Sequence, residues 1–352
     1  MKVILHIGPP KTGSTAIQSA LFPARERLAE QGIYTFLGSK NVARSLSTYY
    51  DRPDRPLIPG MRMHFTSPQQ AKEWSQKNWE TFEAHVAKEK PEVTLLSSEH
   101  FAGLHNLKGF IGRLRRTFDS IGAIYYLREP ASLYCSVVDQ AIRGGRRLSD
   151  LPDPWSYTYP GPEQIQRYLD ALGPENVVVR SFQRAHLHEG DIRSDYFHVL
   201  RSRFGLDFEV DIGAQPLNES LSGAATAWML TLNESFVRMP ATSDRGLLEL
   251  RRDLIRRLRG AEGLAGLPKL SLAEHPFRDV VRGNARDTLK WYNETVLDAD
   301  CQQELPEAAQ GMPRPEAPQS AMADWIFSYL TPEATQAITR GLTLPESTLE
   351  PA

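Results

Sequence analysis

The opening stretch limits the fold more than any other part of the chain. A short apolar run, Val3 to Ile7, stops at Gly8-Pro9-Pro10, and from Thr15 to Gln31 the apolar residues Ile17, Leu21 and Leu28 recur at helical spacing. That order predicts a strand, a tight loop and a helix. Further short apolar runs follow at Ile33 to Leu37, Val93 to Leu96, Ala123 to Leu127 and Val177 to Val179. Between them lie helical stretches. One starts at Ser67-Pro68-Gln69-Gln70, where a serine N-cap precedes a proline, and ends at Pro91. Another runs from about Glu163 to Leu172 and closes at Gly173-Pro174. Strands alternating with helices predict an α/β fold with a central parallel sheet, and such sheets gather ligand sites at the carboxyl ends of their strands. Polar clusters fall there: Gly8 to Thr15, Ser97-Ser98-Glu99, and Arg128.

The segment from Gly38 to Gly60, rich in Pro, Ser and Arg, reads as a loop with the composition of a lid. Beyond Gln215 the pattern turns helical, with Leu221, Trp228, Leu232 and Phe236 on one segment and an Arg-rich amphipathic segment from Arg245 to Arg259. Periodicity is weak from Gly260 to Pro318, and no internal repeat occurs. The expected organisation is an α/β core over residues 1–215, with a loop and helix insertion at 38–90, and a helical C-terminal extension of the same domain over 216–352.

Bulk properties exclude several function classes. Lys plus Arg number 41 against 43 Asp plus Glu, so net charge gives no argument for nucleic acid or an anionic membrane, and any anion site must be local. Two cysteines, Cys135 and Cys301, are too few for a disulfide framework and fit a reducing compartment. No window approaches a membrane span, and Lys2 to Gly8 lacks a signal-peptide pattern. A cytoplasmic chain is expected.

Gly8-Pro9-Pro10-Lys11-Thr12-Gly13-Ser14-Thr15 lies where backbone N–H groups and a helix N-terminus form an anion cradle. The nucleotide P-loop wants lysine directly after its second glycine; here that position is Ser14, and the lysine stands earlier, as Lys11. No Asp ends a neighbouring strand to hold magnesium. Metal-free phosphate chemistry is the better fit. A second anion site is suggested by Arg128 at a strand end and Ser136 two turns into the helix after Pro130, a fork and a hydroxyl able to reach one phosphate.

Pro10-Lys11-Thr12-Gly13-Ser14-Thr15 resembles the 5′-phosphosulfate loop of sulfotransferases that use 3′-phosphoadenosine-5′-phosphosulfate, and Arg128 with Ser136 resembles their 3′-phosphate site. The likeness covers these two motifs and, loosely, the core to about residue 182. It implies a P-loop-like three-layer fold, a loop whose backbone and hydroxyls hold the 5′-phosphate, and a lysine, Lys11, at the bridging oxygen. It also implies transfer of the sulfuryl group to an acceptor hydroxyl by in-line displacement, leaving 3′,5′-adenosine bisphosphate. Two departures stand out: the late Arg-Lys-Gly triplet of cytosolic members is absent, with Arg143-Gly144-Gly145-Arg146-Arg147 as a candidate substitute, and Ala16 occupies a position that often stacks on adenine.

On the acceptor side, Glu99 and His100 follow a buried strand, with His105 nearby. Glu99 is the expected base and His100 the second candidate, since Ser97-Ser98-Glu99-His100-Phe101 looks more like the heparan-type carbohydrate enzymes, which use glutamate, than the histidine-dependent small-molecule enzymes. Leu95, Leu96 and Phe101 are expected to desolvate the carboxylate. The acceptor is expected to be a small molecule or carbohydrate, selected by residues 38–90 and the helical extension. His186-Leu187-His188, with Glu189 and Asp191, reads as an exposed turn rather than a metal site. A P-loop kinase and a non-catalytic nucleotide-binding protein remain alternative readings.

Overall fold

The computed structural model describes residues 1–36, 44–52, 56–57, 59–62, 64–211, 220–236, 244–307 and 313–342. Five strands form one wholly parallel sheet: β1 (Lys2–His6), β2 (Ile33–Thr35), β3 (Val93–Ser97), β4 (Ser120–Leu127) and β5 (Val177–Ser181). Their order is β2-β3-β1-β4-β5, so the chain passes from β1 to the outer strand β2, returns to β3 beside β1, and then crosses to β4 and β5 on the other side. Reversal beside β1 opens a crevice at the carboxyl ends of the strands. In register, His6 lies opposite both Ser97 and Ile124, and Leu127 opposite Ser181. The α/β class and the parallel sheet expected from the sequence are therefore present.

The chain divides into two compact units, each assembled from several stretches. The first comprises Met1–Glu129, Tyr159–Asn218 and Asp287–Leu305 and contains the whole sheet. The helix α1 (Ser14–Glu30) lies on one face of the sheet, where Ile17, Leu21 and Leu28 pack in a core with Ile4, Leu95, Ile124 and Val178. The other core helices are α4 (Pro68–Glu89), α5 (Leu107–Leu114), α7 (Glu163–Leu172) and α8 (Ile192–Ser202), of which α8 joins α1 in that core. The Ser67 hydroxyl accepts from the Gln70 N–H to cap α4, and Gly173, at φ 86°, ends α7.

Two short helices, α2 (Arg44–Ser47) and α3 (Pro59–Arg62), stand in the segment expected to be loop. Neither is long enough to stand on propensity. For α2 the support is tertiary: the Trp79 indole donates to the Leu46 carbonyl at 3.0 Å, and Tyr49 N–H, just past α2, donates to Ser75 Oγ at 2.9 Å. The end of the expected strand at Leu37 and the expected boundary at 215/216 lie outside the described residues.

The late stretch 287–305 completes the first unit. Leu297 makes a parallel bridge to Val179 on the edge strand β5, and buried Gln303 donates through Nε2 to the Leu127 carbonyl at 3.2 Å. Within these units, 130–158 belongs with the second and 287–305 with the first.

The second unit comprises Pro130–Thr158, Glu219–Arg286 and Pro306–Ala352 and is helical where described: α6 (Pro130–Arg143), α9 (Gly223–Ser235), α10 (Arg245–Gly260), α11 (Phe277–Asn284), α13 (Pro318–Phe327) and α14 (Pro332–Leu342). α12 (Arg286–Thr295) begins on its last described residue before 306 and runs on into the first unit's stretch. Tyr134, Leu230, Val281, Trp325 and Ile338 share the second core. A polar group is buried there too: Asp139 accepts from Thr226 Oγ1 at 3.0 Å and from Arg143 at 2.7 Å. Among the described residues no helix is long and apolar enough to cross a membrane.

Candidate active site

The loop between β1 and α1 has two residues in left-handed backbone, Lys11 at φ 73° and Gly13 at φ 85°. At Gly13 the choice is forced twice over, because a Cβ there would come within 2.9 Å of both Ile192 Cγ1 and Phe182 Cε2. Lys11 adopts the same region while carrying a long side chain, a conformation that costs about 1–2 kcal/mol for a non-glycine residue. Buried Thr12 stitches the loop by donating through Oγ1 to the Pro9 carbonyl at 2.7 Å, while Pro10 and Thr15 are exposed.

Ser14 opens α1 with its hydroxyl buried and, among the described residues, without a hydrogen-bond partner. No acidic residue stands in the first turn. A buried hydroxyl and the free N–H groups of a 17-residue helix, approached by a glycine backbone that admits no side chain, are a fitting receptacle for a phosphate or sulfate oxygen.

Ser14 and Thr15 line a small cleft together with Gln18, Arg44, Ser98, Glu99 and His100. Two of the sequence candidates on different strands' ends, the loop hydroxyls and the Glu99–His100 pair, thus face one space. The Glu99 carboxylate and His100 Nε2 are 3.8 Å apart, and the Ser98 hydroxyl accepts from His100 N–H at 3.2 Å. Leu95, Leu96 and Phe101 turn into the core instead of covering Glu99, whose side chain is 43% exposed. The expected desolvation by these flanks is therefore not what the fold provides: a strand's alternate residues go to its two buried faces, and Glu99 lies past the strand's end. His105 is exposed and lines a different cavity.

Lys11 is not among the residues lining this cleft; its carbonyl accepts from Arg128 Nη1 at 2.8 Å. Arg128 follows β4, its guanidinium carbon 5.6 Å from the centre of the Phe182 ring, and its carbonyl accepts from Tyr159 OH at 2.5 Å. This arginine thus ties the end of β4 to the loop between β1 and α1. Ser136, half-buried on α6, belongs to the second unit.

Sequence reasoning assigned nothing to His6, Gln18 or Arg44. Gln18 lies one turn beyond Ser14 on the same face of α1, a spacing that could have marked it; its Nε2 donates to the Ser97 carbonyl at 3.1 Å. His6 was visible as one polar residue in an apolar strand. Its ring is fully buried, packed edge-on against Tyr126 and Tyr196, with Nδ1 2.8 Å from Ser97 Oγ and Nε2 without a partner. A Cβ on Gly8 would come within 2.7 Å of that Nε2, so the imidazole sits directly under the loop.

Burial pushes the His6 pKa down to about 3. The folded state therefore holds His6 neutral where the unfolded chain, titrating near 6.5, begins to bind a proton. This contribution is complete above the unfolded value and is lost as pH falls toward the folded one, about 2 kcal/mol by pH 5. Urea midpoints at pH 7.5 and pH 5 should show a smaller acid penalty for His6→Asn than for the wild type; equal penalties would contradict a neutral buried imidazole.

No model of a protein family matches the chain, and no curated protein matches it. Among solved structures, the crystal structure of a sulfotransferase from Alicyclobacillus acidocaldarius is similar at 16% identity and a TM-score of 0.36, over 68% of this chain and 94% of that one. The α/β assignment rests on the sheet itself.

Proposed function

We propose that this chain is a sulfotransferase that moves a sulfuryl group from 3′-phosphoadenosine-5′-phosphosulfate to the hydroxyl of a small-molecule or carbohydrate acceptor. The observation that carries this reading is the shared cleft: a buried, unpartnered Ser14 hydroxyl at the N-terminus of α1 faces the same space as Glu99 and His100. An anion receptacle next to a general base is the minimum that transfer of an anionic group to a hydroxyl requires.

In this reading the loop Pro10 to Thr15 holds the 5′-phosphate side through the backbone N–H groups of Lys11, Thr12, Gly13, Ser14 and Thr15 and the Ser14 and Thr15 hydroxyls, with Pro10, which has no N–H, fixing the turn. Arg128 holds the 3′-phosphate; the part of Ser136 rests on its sequence spacing alone. When bound, the nucleotide supplies the sulfuryl group and a phosphate as leaving group. Glu99 Oε accepts the acceptor's hydroxyl proton, with His100 as the alternative base. The Lys11 ammonium offsets negative charge that grows on the departing oxygen, an effect that is larger where water is excluded. None of these roles calls for a metal ligand. Cys135 and Cys301 are both buried, in keeping with a cytoplasmic protein.

Isothermal titration with 3′,5′-adenosine bisphosphate, 5′-AMP and ATP plus magnesium tests the reading. Micromolar binding of the bisphosphate is expected. Arg128→Ala should weaken it by about 10- to 100-fold, to the level of 5′-AMP, because a hydrogen bond to a charged group contributes about 1.5–3 kcal/mol. A preference for ATP with magnesium would instead favour a kinase.

A further inference from the structure

We propose that the acceptor carries an anionic group, a carboxylate or sulfate, bound by Lys72 and Arg52 beside the first turn of α4. This rests on the sulfotransferase reading only in calling the ligand an acceptor. The cleft that holds Ser14 and Glu99 shares Arg44 and His100 with a second cavity, whose charged and polar lining includes Asp51, Arg52, Gln69 and Lys72. A molecule reaching Glu99 with one end therefore has this second cavity as the adjoining space within the first unit.

The adjoining cavity is set up for negative charge. Three cations, Arg44, Arg52 and Lys72, line it against one carboxylate, Asp51, and His100 closes the side toward the base. Among the described residues neither Arg52 nor Lys72 makes an ion pair. Lys72 is held instead over the Tyr49 ring, its Nζ 5.0 Å from the ring centre, a contact that orients the ammonium without neutralising it.

The same cavity is bordered by Pro68 and Gln69, the start of the 22-residue helix α4, and the first turn of that helix contains no acidic residue. Helix dipole and lysine therefore act with one sign. Arg52 also lines a further cavity together with Arg167, where two guanidinium groups face one carboxylate, Asp51. Leu57 and Met61 supply an apolar surface. Positive edges around an apolar surface suit the ring of an acidic sugar.

The test measures binding, by isothermal titration, of three glycosides to the full chain: 4-nitrophenyl β-D-glucuronide, the corresponding glucoside, and the glucoside 6-sulfate, with and without saturating 3′,5′-adenosine bisphosphate. At least one anionic glycoside should bind about tenfold more tightly than the neutral one, with a preference that falls as salt rises. Comparison of the two anionic probes tells carboxylate from sulfate. Lys72→Glu should abolish the preference, and Lys72→Met should reduce it while leaving bisphosphate affinity unchanged. Equal binding of all three glycosides, binding of none at millimolar concentration, or a preference that survives Lys72→Glu would overturn the proposal. Because bisphosphate binding is read separately, glycoside preference without nucleotide binding would sink the sulfotransferase reading and leave the anion site standing.

Discussion

Lys11→Ala is expected to lower the rate of sulfuryl transfer by about 10²- to 10³-fold, the usual loss when one group stabilising transition-state charge is removed. Affinity for 3′,5′-adenosine bisphosphate should fall far less, since the loop N–H groups and Arg128 remain. Alanine is the informative replacement because Lys11 has φ 73°: any non-glycine residue there bears the same backbone strain, so wild type and variant differ in the side chain alone. Lys11→Gly should relieve that strain and fold at least as stably, while being as slow as Lys11→Ala. Single-turnover assays with labelled donor would separate these effects, and a variant with unimpaired turnover would remove Lys11 from the chemistry. Retention of strain at a position that glycine would satisfy is itself the motive for assigning the side chain a task.

The second large effect concerns stability. Asp195, fully buried on α8, accepts from Tyr126 OH at 2.9 Å, from Arg180 Nη2 at 2.7 Å and from His188 N–H at 2.9 Å. Arg180, on β5, also donates through Nη1 to Cys301 Sγ at 2.8 Å. Arg180→Ala would leave the carboxylate buried without its counter-ion and should cost about 3–5 kcal/mol, a large part of a typical domain's stability. Replacing both partners, as in Arg180→Met with Asp195→Leu, should cost less than either single change, because no charge is left stranded. Urea denaturation of Arg180→Ala, of Arg180→Met and Asp195→Leu singly, and of the double variant measures this; a loss below about 1 kcal/mol for Arg180→Ala would mean water reaches Asp195.

Much of the sheet was readable because parallel strands buried on both faces appear as unbroken apolar runs, as Val93 to Leu96 and Ala123 to Leu127 do. Helix ends were readable where a residue type has one local task, as at Ser67 and Gly173. The helix α8 was passed over although Ile192, Tyr196, Phe197, Val199 and Leu200 keep helical spacing behind the Asp191 cap, because the preceding Gly and His residues read as turn. In α11 and α12, Phe277, Val280 and Val281, then Leu289 and Tyr292, are too few per helix to outweigh surrounding Gly and Pro.

The candidate site divides in the same way. The phosphate loop could be read as a motif because its neighbours in space are its neighbours in sequence. Arg44 and Lys72 could not, since their meeting at the adjoining cavity depends on α4 holding α2, a contact that no local pattern encodes.

The attachment of residues 287–305 to the sheet has a consequence for biosynthesis. During translation β1 must wait for β3 and β4, its partners some ninety or more residues later, and the edge strand β5 must wait as long for Leu297 as β1 does for β4. Until Gln303 has emerged, the Leu127 carbonyl at the end of β4 has the Phe182 N–H but not its second donor among the described residues. A ribosome near the middle of the message therefore carries a sheet with an open edge, at the stage when nascent chains are most prone to associate. The end of β4 is completed only when most of the chain has been made.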